Sequence, residues 1–355
     1  MINRKYIDLA ELIESDIETK KWQRQLPGVH ALAKHYSVAP ATVSKAVRVL
    51  SKKGRVTIQG TKGAFISNTL HNRPRYGVIG EVGLMHRHGE NMELQKIESE
   101  AARQKFGILT IGTSIELANA SPNFYAQLPV DGLIFTNSIL RKSIVSVLRE
   151  IGIPFVSTNR IFETEGVDWV DYDTPRALKE TLMLLSAKGH KHIALVGFKQ
   201  TFTELLNELK NVYNKFCNEK GVNPKTLWYE NATNTEFWYM HGENYCKVYG
   251  SQSCETLMNQ KQPPTAAIIL AESIAESFCE TLISLKKLNL PKDFPVITLS
   301  QNDSPLNHTP FFYGKIILPS MERTVKAMGI LFEKINTDRT LPPVQMLLQL
   351  KIATE

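Results

Sequence analysis

Between Pro40 and Lys52, the polar residues Thr42, Ser44, Lys45, Arg48 and Lys52 fall on one side of a helical repeat, and Val43, Ala46, Val47 and Leu50 fall on the other. Hydroxyls on the first half of such a helix can hydrogen-bond the edges of nucleobases. Long cations further along it can sit against phosphates. A helix about 10–12 Å across fits the major groove of a duplex. The chemistry this pattern suits is therefore recognition of double-stranded DNA, with Thr42, Ser44 and Lys45 towards bases and Arg48 and Lys52 towards phosphates.

Charge placement points the same way. The formal net charge is +7, and it is uneven. Residues 1–75 hold fourteen Lys/Arg against five Asp/Glu, a net of +9, which leaves 28 basic and 30 acidic residues, a net of −2, for the rest. The five early acids, Asp8, Glu11, Glu14, Asp16 and Glu18, lie in the first twenty residues; from Lys21 to Arg75 there are eleven basic residues and no acid. Segregation of this kind marks a surface for a polyanion.

The elements that must carry these residues can be read around them. Ile7, Ala10, Ile13 and Ile17 recur at helical spacing and predict a first helix over 4–20. "LPG" at 26–28 breaks the chain, and a second helix over 28–36 is expected to bury Leu32, Ala33 and Tyr36. After the tight connection "SVAP", Pro40 suits the first turn of a third helix, and Gly54 suits its end. "RVTIQGTKGAFIS" then reads as strand, Gly-rich turn and strand, a small wing. Lys62 on that turn faces phosphates in this reading, and Gly60 and Gly63 let the backbone approach a sugar-phosphate chain.

"LPG…ALAKHYSV", "ATVSKAV.VLSKKG" and "QGTKGAFIS" resemble, in order and spacing, the winged helix-turn-helix domain of the gluconate-repressor (GntR) family. The resemblance implies a DNA contact at His30, where the family commonly has arginine. Gly28 replaces a usual Ser, and Ala39-Pro40 replace a usual Ser-Arg pair.

Residues 1–67 are thus expected to form a winged DNA-binding domain, followed by a polar linker at 68–75 and a third region at 76–355. In that last region, apolar runs alternate with helical stretches. Strands are expected at 76–80, 108–112, 132–136, 153–157, 193–197, 225–229, 266–270 and 295–299, and helices near 91–106, 140–151, 174–188, 203–220, 245–260, 273–288 and 320–336. Such alternation predicts an α/β fold with parallel sheets covered by helices on both faces, and eight units favour two lobes. "VDGLIF", "IPFVSTNR", "LLSAKGHKHIALVGF" and "PPTAAIIL" resemble the effector domain of the lactose-repressor (LacI) family, which is similar to periplasmic sugar-binding proteins. A winged module of the first kind joined to this second kind of domain resembles the architecture of arabinose-repressor-like regulators.

Ligands of open α/β sheets sit beyond the carboxyl ends of strands. The residues expected there are Glu81, Asn137, Ser138, Asn159, Arg160, Lys199, Glu272, Ser300 and Gln301. Planar polar groups among them suit the hydroxyls of a sugar, and Trp238, within "WYENATNTEFWYM", suits its C–H face. The expected effector set is Glu81, Asn137, Arg160, Trp238, Glu272 and Gln301. Three positions depart from the family pattern: Ala271-Glu272 stands for Asn-Asp, Thr298-Leu299-Ser300 for Gly-Phe-Asp, and a sugar-binding arginine aligns near Leu209. An orphan domain that serves only dimerisation or partner binding is the alternative reading.

No catalytic residue, cofactor or metal site is expected. The chain has no GxSxG, P-loop or GxGxxG motif, His86 and His88 diverge on a helix, and His190 sits at a helix-to-strand turn. Cys217, Cys246, Cys254 and Cys279 lack metal or disulfide spacing and fit a reducing cytoplasm. The N-terminus lacks a secretory apolar stretch, and apolar runs such as "TAAIIL" are too short to cross a membrane. The sequence therefore predicts a cytoplasmic homodimeric repressor with two partners, operator DNA and a small, carbohydrate-like effector.

Overall fold

The computed structural model of the chain describes residues 5–19, 21–22, 25–52, 55–58, 63–66, 75–84, 92–113, 124–125, 127–136, 140–162, 164–197, 203–230, 240–301, 310–337 and 341–354. The N-terminal helices are α1 (Lys5–Glu18), α2 (Val29–His35) and α3 (Pro40–Lys52), followed by the antiparallel strands β1 (Val56–Ile58) and β2 (Ala64–Ile66). The helical spacing works as expected in α3: Val43, Ala46, Val47 and Leu50 are all buried, in one cluster with Leu9, Ala10, Ile13, Leu26, Leu32, Val56 and Ile66. In α1 the stripe is shifted. Ile7 is exposed, and Leu9 is buried in its place. The chain before α2 also joins the wing. Gln25 bridges to Phe65, and the Leu26 amide donates to the Ala64 carbonyl at 2.8 Å. Gly63, at the start of β2, has φ +105°, a conformation that favours glycine.

Beyond residue 75 the elements are β3 (Val78–Leu84), α4 (Met92–Arg103), β4 (Gly107–Thr113), β5 (Gly132–Thr136), α5 (Lys142–Ile151), β6 (Phe155–Ser157), β7 (Trp169–Tyr172) and α6 (Thr174–Ala187). Next come β8 (Ile193–Val196), α7 (Thr203–Lys220), the short α8 (Pro224–Leu227), β9 (Trp228–Tyr229), α9 (Tyr245–Met258), β10 (Ala266–Ile269) and α10 (Glu272–Lys286). The chain ends with β11 (Val296–Gln301), β12 (Gly314–Leu318), α11 (Ser320–Asn336), β13 (Gln345–Leu348) and β14 (Lys351–Thr354).

Two six-stranded sheets form, in the orders β13-β7-β6-β5-β3-β4 and β14-β12-β11-β10-β8-β9. Described pairings within them are parallel apart from β12 with β14, which is antiparallel. Every residue of β5, β8 and β10 is buried, as strands covered on both faces require. In the second sheet, Ala194, Val196, Ala267 and Ile269 join one core, and Ile193, Leu195, Ala266 and Ile268 join another. That alternation assigns the two cores to opposite faces of the sheet. The Asp131 carboxylate accepts the amides of Tyr76 and Gly77 at 2.9 and 2.7 Å, which fixes where the chain enters β3.

Contacts divide the chain into two units, residues 1–169 with 325–345, and residues 170–324 with 346–355. The chain therefore crosses three times, on β7, on α11 and on β13. The eight-strand expectation missed β7, β12, β13 and β14. At 225–229 the structure forms a helical turn and a two-residue strand instead of one strand, because Asn223 caps the Lys225 amide and Pro224 starts the turn. No described helix is long and apolar enough to cross a membrane.

Candidate nucleic-acid interface and strand-end polar groups

Burial of the Val43–Leu50 stripe leaves the opposite face of α3 outward. Lys45 and Arg48 are exposed and Thr42 and Ser44 half-buried; His30 and Lys34 on α2 are exposed too. The Ser44 hydroxyl donates to the Pro40 carbonyl at 3.1 Å, so its lone pairs are what it offers outward. Neither Lys45 nor Arg48 forms a salt bridge among the described residues. Two other cations of the acid-free stretch do. Arg55 Nε lies 2.7 Å from Glu14 Oε1, and Lys21 Nζ lies 2.6 Å from Asp16 Oδ2. The acids of α1 fold back onto cations that the charge count alone treats as free. Among the described residues from 21 to 66, the cations that form no salt bridge, Lys34, Lys45 and Arg48, lie on α2 and α3. The side chain of Lys52, together with Gly60 and Lys62, lies outside the described residues.

A polar clasp holds the corner that carries α3. Asp16 Oδ2 also accepts the Tyr36 hydroxyl at 2.6 Å, and Trp22 and His35 stack edge-on beside it. The hydrogen bond from Lys21, followed by that from Tyr36, holds the Asp16 carboxyl below its ordinary range. Burial, followed by the Asp16 carboxylate, pushes the Tyr36 phenol up to about 12. Tyr36 caps α2, and the next residue, Ser37, has φ 52°, the left-handed conformation of the turn into α3.

In the second sheet, Glu272 opens α10, where the helix dipole favours a carboxylate. Its Oε1 accepts the Ser300 hydroxyl at 2.8 Å and Lys315 Nζ at 3.2 Å, and the Lys315 and Glu272 side chains are only 12% and 10% exposed. Glu272 is therefore already engaged inside its own unit. Gln301 is exposed at the end of β11. Leu209 is 2% exposed within a core cluster, so the position aligned with a sugar-binding arginine contributes only to packing. Lys315 was missed because β12 was not read as a strand. A second group went unrecognised on β9 and α7. There, Trp228 Nε1 donates to Glu230 Oε2 at 2.9 Å, and Lys210 Nζ bonds Glu230 Oε1 at 3.1 Å.

In the first sheet, Glu81 lies inside β3 rather than beyond it, because the strand continues to Leu84. It is 1% exposed and accepts the Thr136 hydroxyl. Arg160 lies 4.1 Å over the Phe162 ring, and the Asn159 amide donates to Ser157. Asn137, Ser138, Lys199 and Trp238, with His86 and His88, lie outside the described residues. His190 bonds Thr265 through Nδ1 at 3.1 Å, and burial, then Lys188, lowers its pKa. The cysteines are free, and no group of three His, Cys, Asp or Glu able to hold a metal occurs among the described residues. These groups can donate and accept hydrogen bonds.

No protein-family model matches the chain. Over 219 residues it is 26% identical to a curated Paenibacillus polymyxa protein named "Probable HTH-type transcriptional regulator EndR". That match covers 58% of this chain and 57% of the relative, so it spans little more than half the relative's length. Among solved structures, the transcriptional regulator CelR in complex with cellobiose superposes with a TM-score of 0.63 at 17% identity, over 89% of this chain and 90% of that one. A LacI-family regulatory protein from Chloroflexus aggregans gives 0.64 at 17% identity, over 78% and 96%. The transcription regulator CcpA of Lactococcus lactis gives 0.62 at 18% identity, over 79% and 98%. At these identities the likeness is one of fold. The chain has the α/β architecture with parallel sheets and two lobes that these regulators share.

Proposed function

We propose that the chain is a DNA-binding transcription regulator, acting as a repressor, whose operator affinity a small molecule controls. Residues 1–67 bind the duplex as a winged helix-turn-helix of the GntR kind, residues 68–75 link, and residues 76–355 bind the effector and dimerise. The observation that carries this reading is the outward face of α3, which presents Lys45 and Arg48 without salt-bridge partners among the described residues while its other face is fully buried. The HTH regulator among its relatives and the fold shared with regulators support it. A carbohydrate effector is supported by the cellobiose in the CelR complex. Such a ligand must bind two states of the protein unequally to change DNA affinity. Selection of bound fragments from sheared genomic DNA by the purified protein tests the reading. Recovery of a recurring two-fold site supports it, and recovery of unenriched DNA refutes it.

The engagement of Glu272 by Ser300 and Lys315, together with the burial of Leu209, favours a second reading, an orphan domain that binds no sugar. Thermal shift against a panel of mono- and disaccharides separates the two. A raised melting temperature with any saccharide supports the sensor, and none with the whole panel supports the orphan.

A further inference from the structure

The turns that lead into four neighbouring strands of the second sheet each carry a lysine. Lys191 stands two residues before β8, Lys225 three before β9, Lys261 five before β10 and Lys292 four before β11. These strands are adjacent in the order β11-β10-β8-β9 and pair in parallel, so their starts lie along one end of the sheet. The helices α7 and α10, which run back between parallel strands, finish at the same end, and α6 finishes there as it leads into β8. Lys188 caps α6, Lys220 closes α7, and Lys286 and Lys287 close and cap α10. All eight lysines are exposed, and none forms a salt bridge among the described residues. The described acids beside them are Glu219 and Asp293, with Glu255 in the last turn of α9, and the Asp293 carboxylate already accepts the Asn289 amide at 2.8 Å. The positive field reaches His190, whose pKa is lowered by burial and then by Lys188.

The helix dipole favours a cation at a helix C-terminus, which accounts for Lys188, Lys220, Lys286 and Lys287. It does not account for Lys191, Lys261 and Lys292, which precede strands, or for Lys225, the second residue of the one-turn α8. With strands about 4.8 Å apart, the row from β11 to β9 is about 14 Å long. One strand of a DNA duplex carries a phosphate per about 3.4 Å of helix axis, so about four phosphates match the row. The stretches 188–192, 219–227, 259–265 and 287–295 contain no arginine. This end therefore offers point charges rather than the forks that read base edges. Lysine is depleted at protein–protein interfaces and common at phosphates, which favours a nucleic acid over an acidic protein. We propose that this end of the second sheet is a second DNA-binding surface, which holds the phosphates of a duplex through Lys191, Lys225, Lys261 and Lys292 without reading sequence. It lies beyond the winged module, and its contacts do not require α3 to enter a groove.

The test is lysine acetylation footprinting, read by mass spectrometry on the full-length protein with and without a duplex of unrelated sequence. At low salt the duplex is expected to slow acetylation of Lys191, Lys225, Lys261 and Lys292 about threefold or more, and high salt should abolish the protection. Lys142 on α5 and Lys179 on α6, exposed and away from this end, should keep their free rates. Protection of Lys45 alone overturns the proposal and leaves the winged module as the DNA-binding part. Protection of the four lysines without Lys45 supports the proposal and tells instead against the reading of α3. Equal slowing at Lys142 and Lys179 overturns it, and so does protection by poly-glutamate but not by the duplex, which marks an acidic protein as the partner. A variant with all four lysines changed to glutamine gives a second readout. Its affinity for the unrelated duplex should fall about tenfold or more at low salt, and its slope of log K against log[salt] should lessen by about 3.6 per chain, with the melting temperature unchanged. An unaltered slope overturns the proposal.

Discussion

Replacing Arg48 by alanine removes an exposed cation that makes no salt bridge among the described residues and stands on the outward face of α3. Three described cations are exposed in this region, Lys34 on α2 and Lys45 and Arg48 on α3. Each phosphate neutralised contributes about −0.9 to the slope of log K against log[salt]. With Lys45 turned to bases, Lys34 and Arg48 on phosphates give a slope of about −1.8 per module, and two modules on one site about −3.6. Arg48→Ala should lower the steepness by about 0.9 per module and the affinity at 0.15 M salt about fivefold per module. Arg55→Ala is the internal control. Arg55 is paired with Glu14 at 2.7 Å, so its loss should leave the salt slope unchanged while it lowers the melting temperature of the module. Fluorescence anisotropy with a labelled duplex, from 50 to 400 mM salt, reads both. A wild-type slope near zero would refute the reasoning, and so would equal loss of slope in the Arg48 and Arg55 variants.

Ser37→Gly relieves a left-handed φ of 52° and should stabilise the winged module by about 0.5–1 kcal/mol, seen as a higher melting temperature; an unchanged one would show that the turn carries no strain. Gly250→Ala places a Cβ 2.5 Å from the Ile274 carbonyl oxygen and 2.8 Å from Ser277 Cβ, where α9 meets α10, and should cost about 1–3 kcal/mol in urea unfolding. The Tyr36 phenol is raised from 10.0 to about 12 in the folded chain. Its contribution is therefore complete below pH 10 and is lost as pH rises towards 12. Unfolding free energies measured over that window should fall less steeply in Tyr36→Phe.

The apolar stripe of α3 and the runs "GLIFT", "IALV" and "AAII" were legible because burial on one or both faces dictates their composition. The strands β13 and β14 were not. They lie at sheet edges, where Leu348 is the one buried residue of β13 and β14 buries none, and so lack an apolar signature. With β12 unread, Lys315 had no place beside Glu272. The pairing of Arg55 with Glu14 was also invisible, because those charges meet only after α1 packs on α3. Glu81 was misplaced for a simpler reason: β3 runs four residues further than its apolar start suggested, from Val78 to Leu84 rather than ending at 80.

The entry of α3 into the major groove is tested most directly by methylation interference. Guanine N7 faces the major groove and adenine N3 the minor. On a duplex selected by the full-length protein, methylation at guanine N7 within each half-site should abolish binding, and Lys45→Ala should relax that requirement. Binding that tolerates N7 methylation throughout the protected site, in wild type and variant alike, would contradict the account.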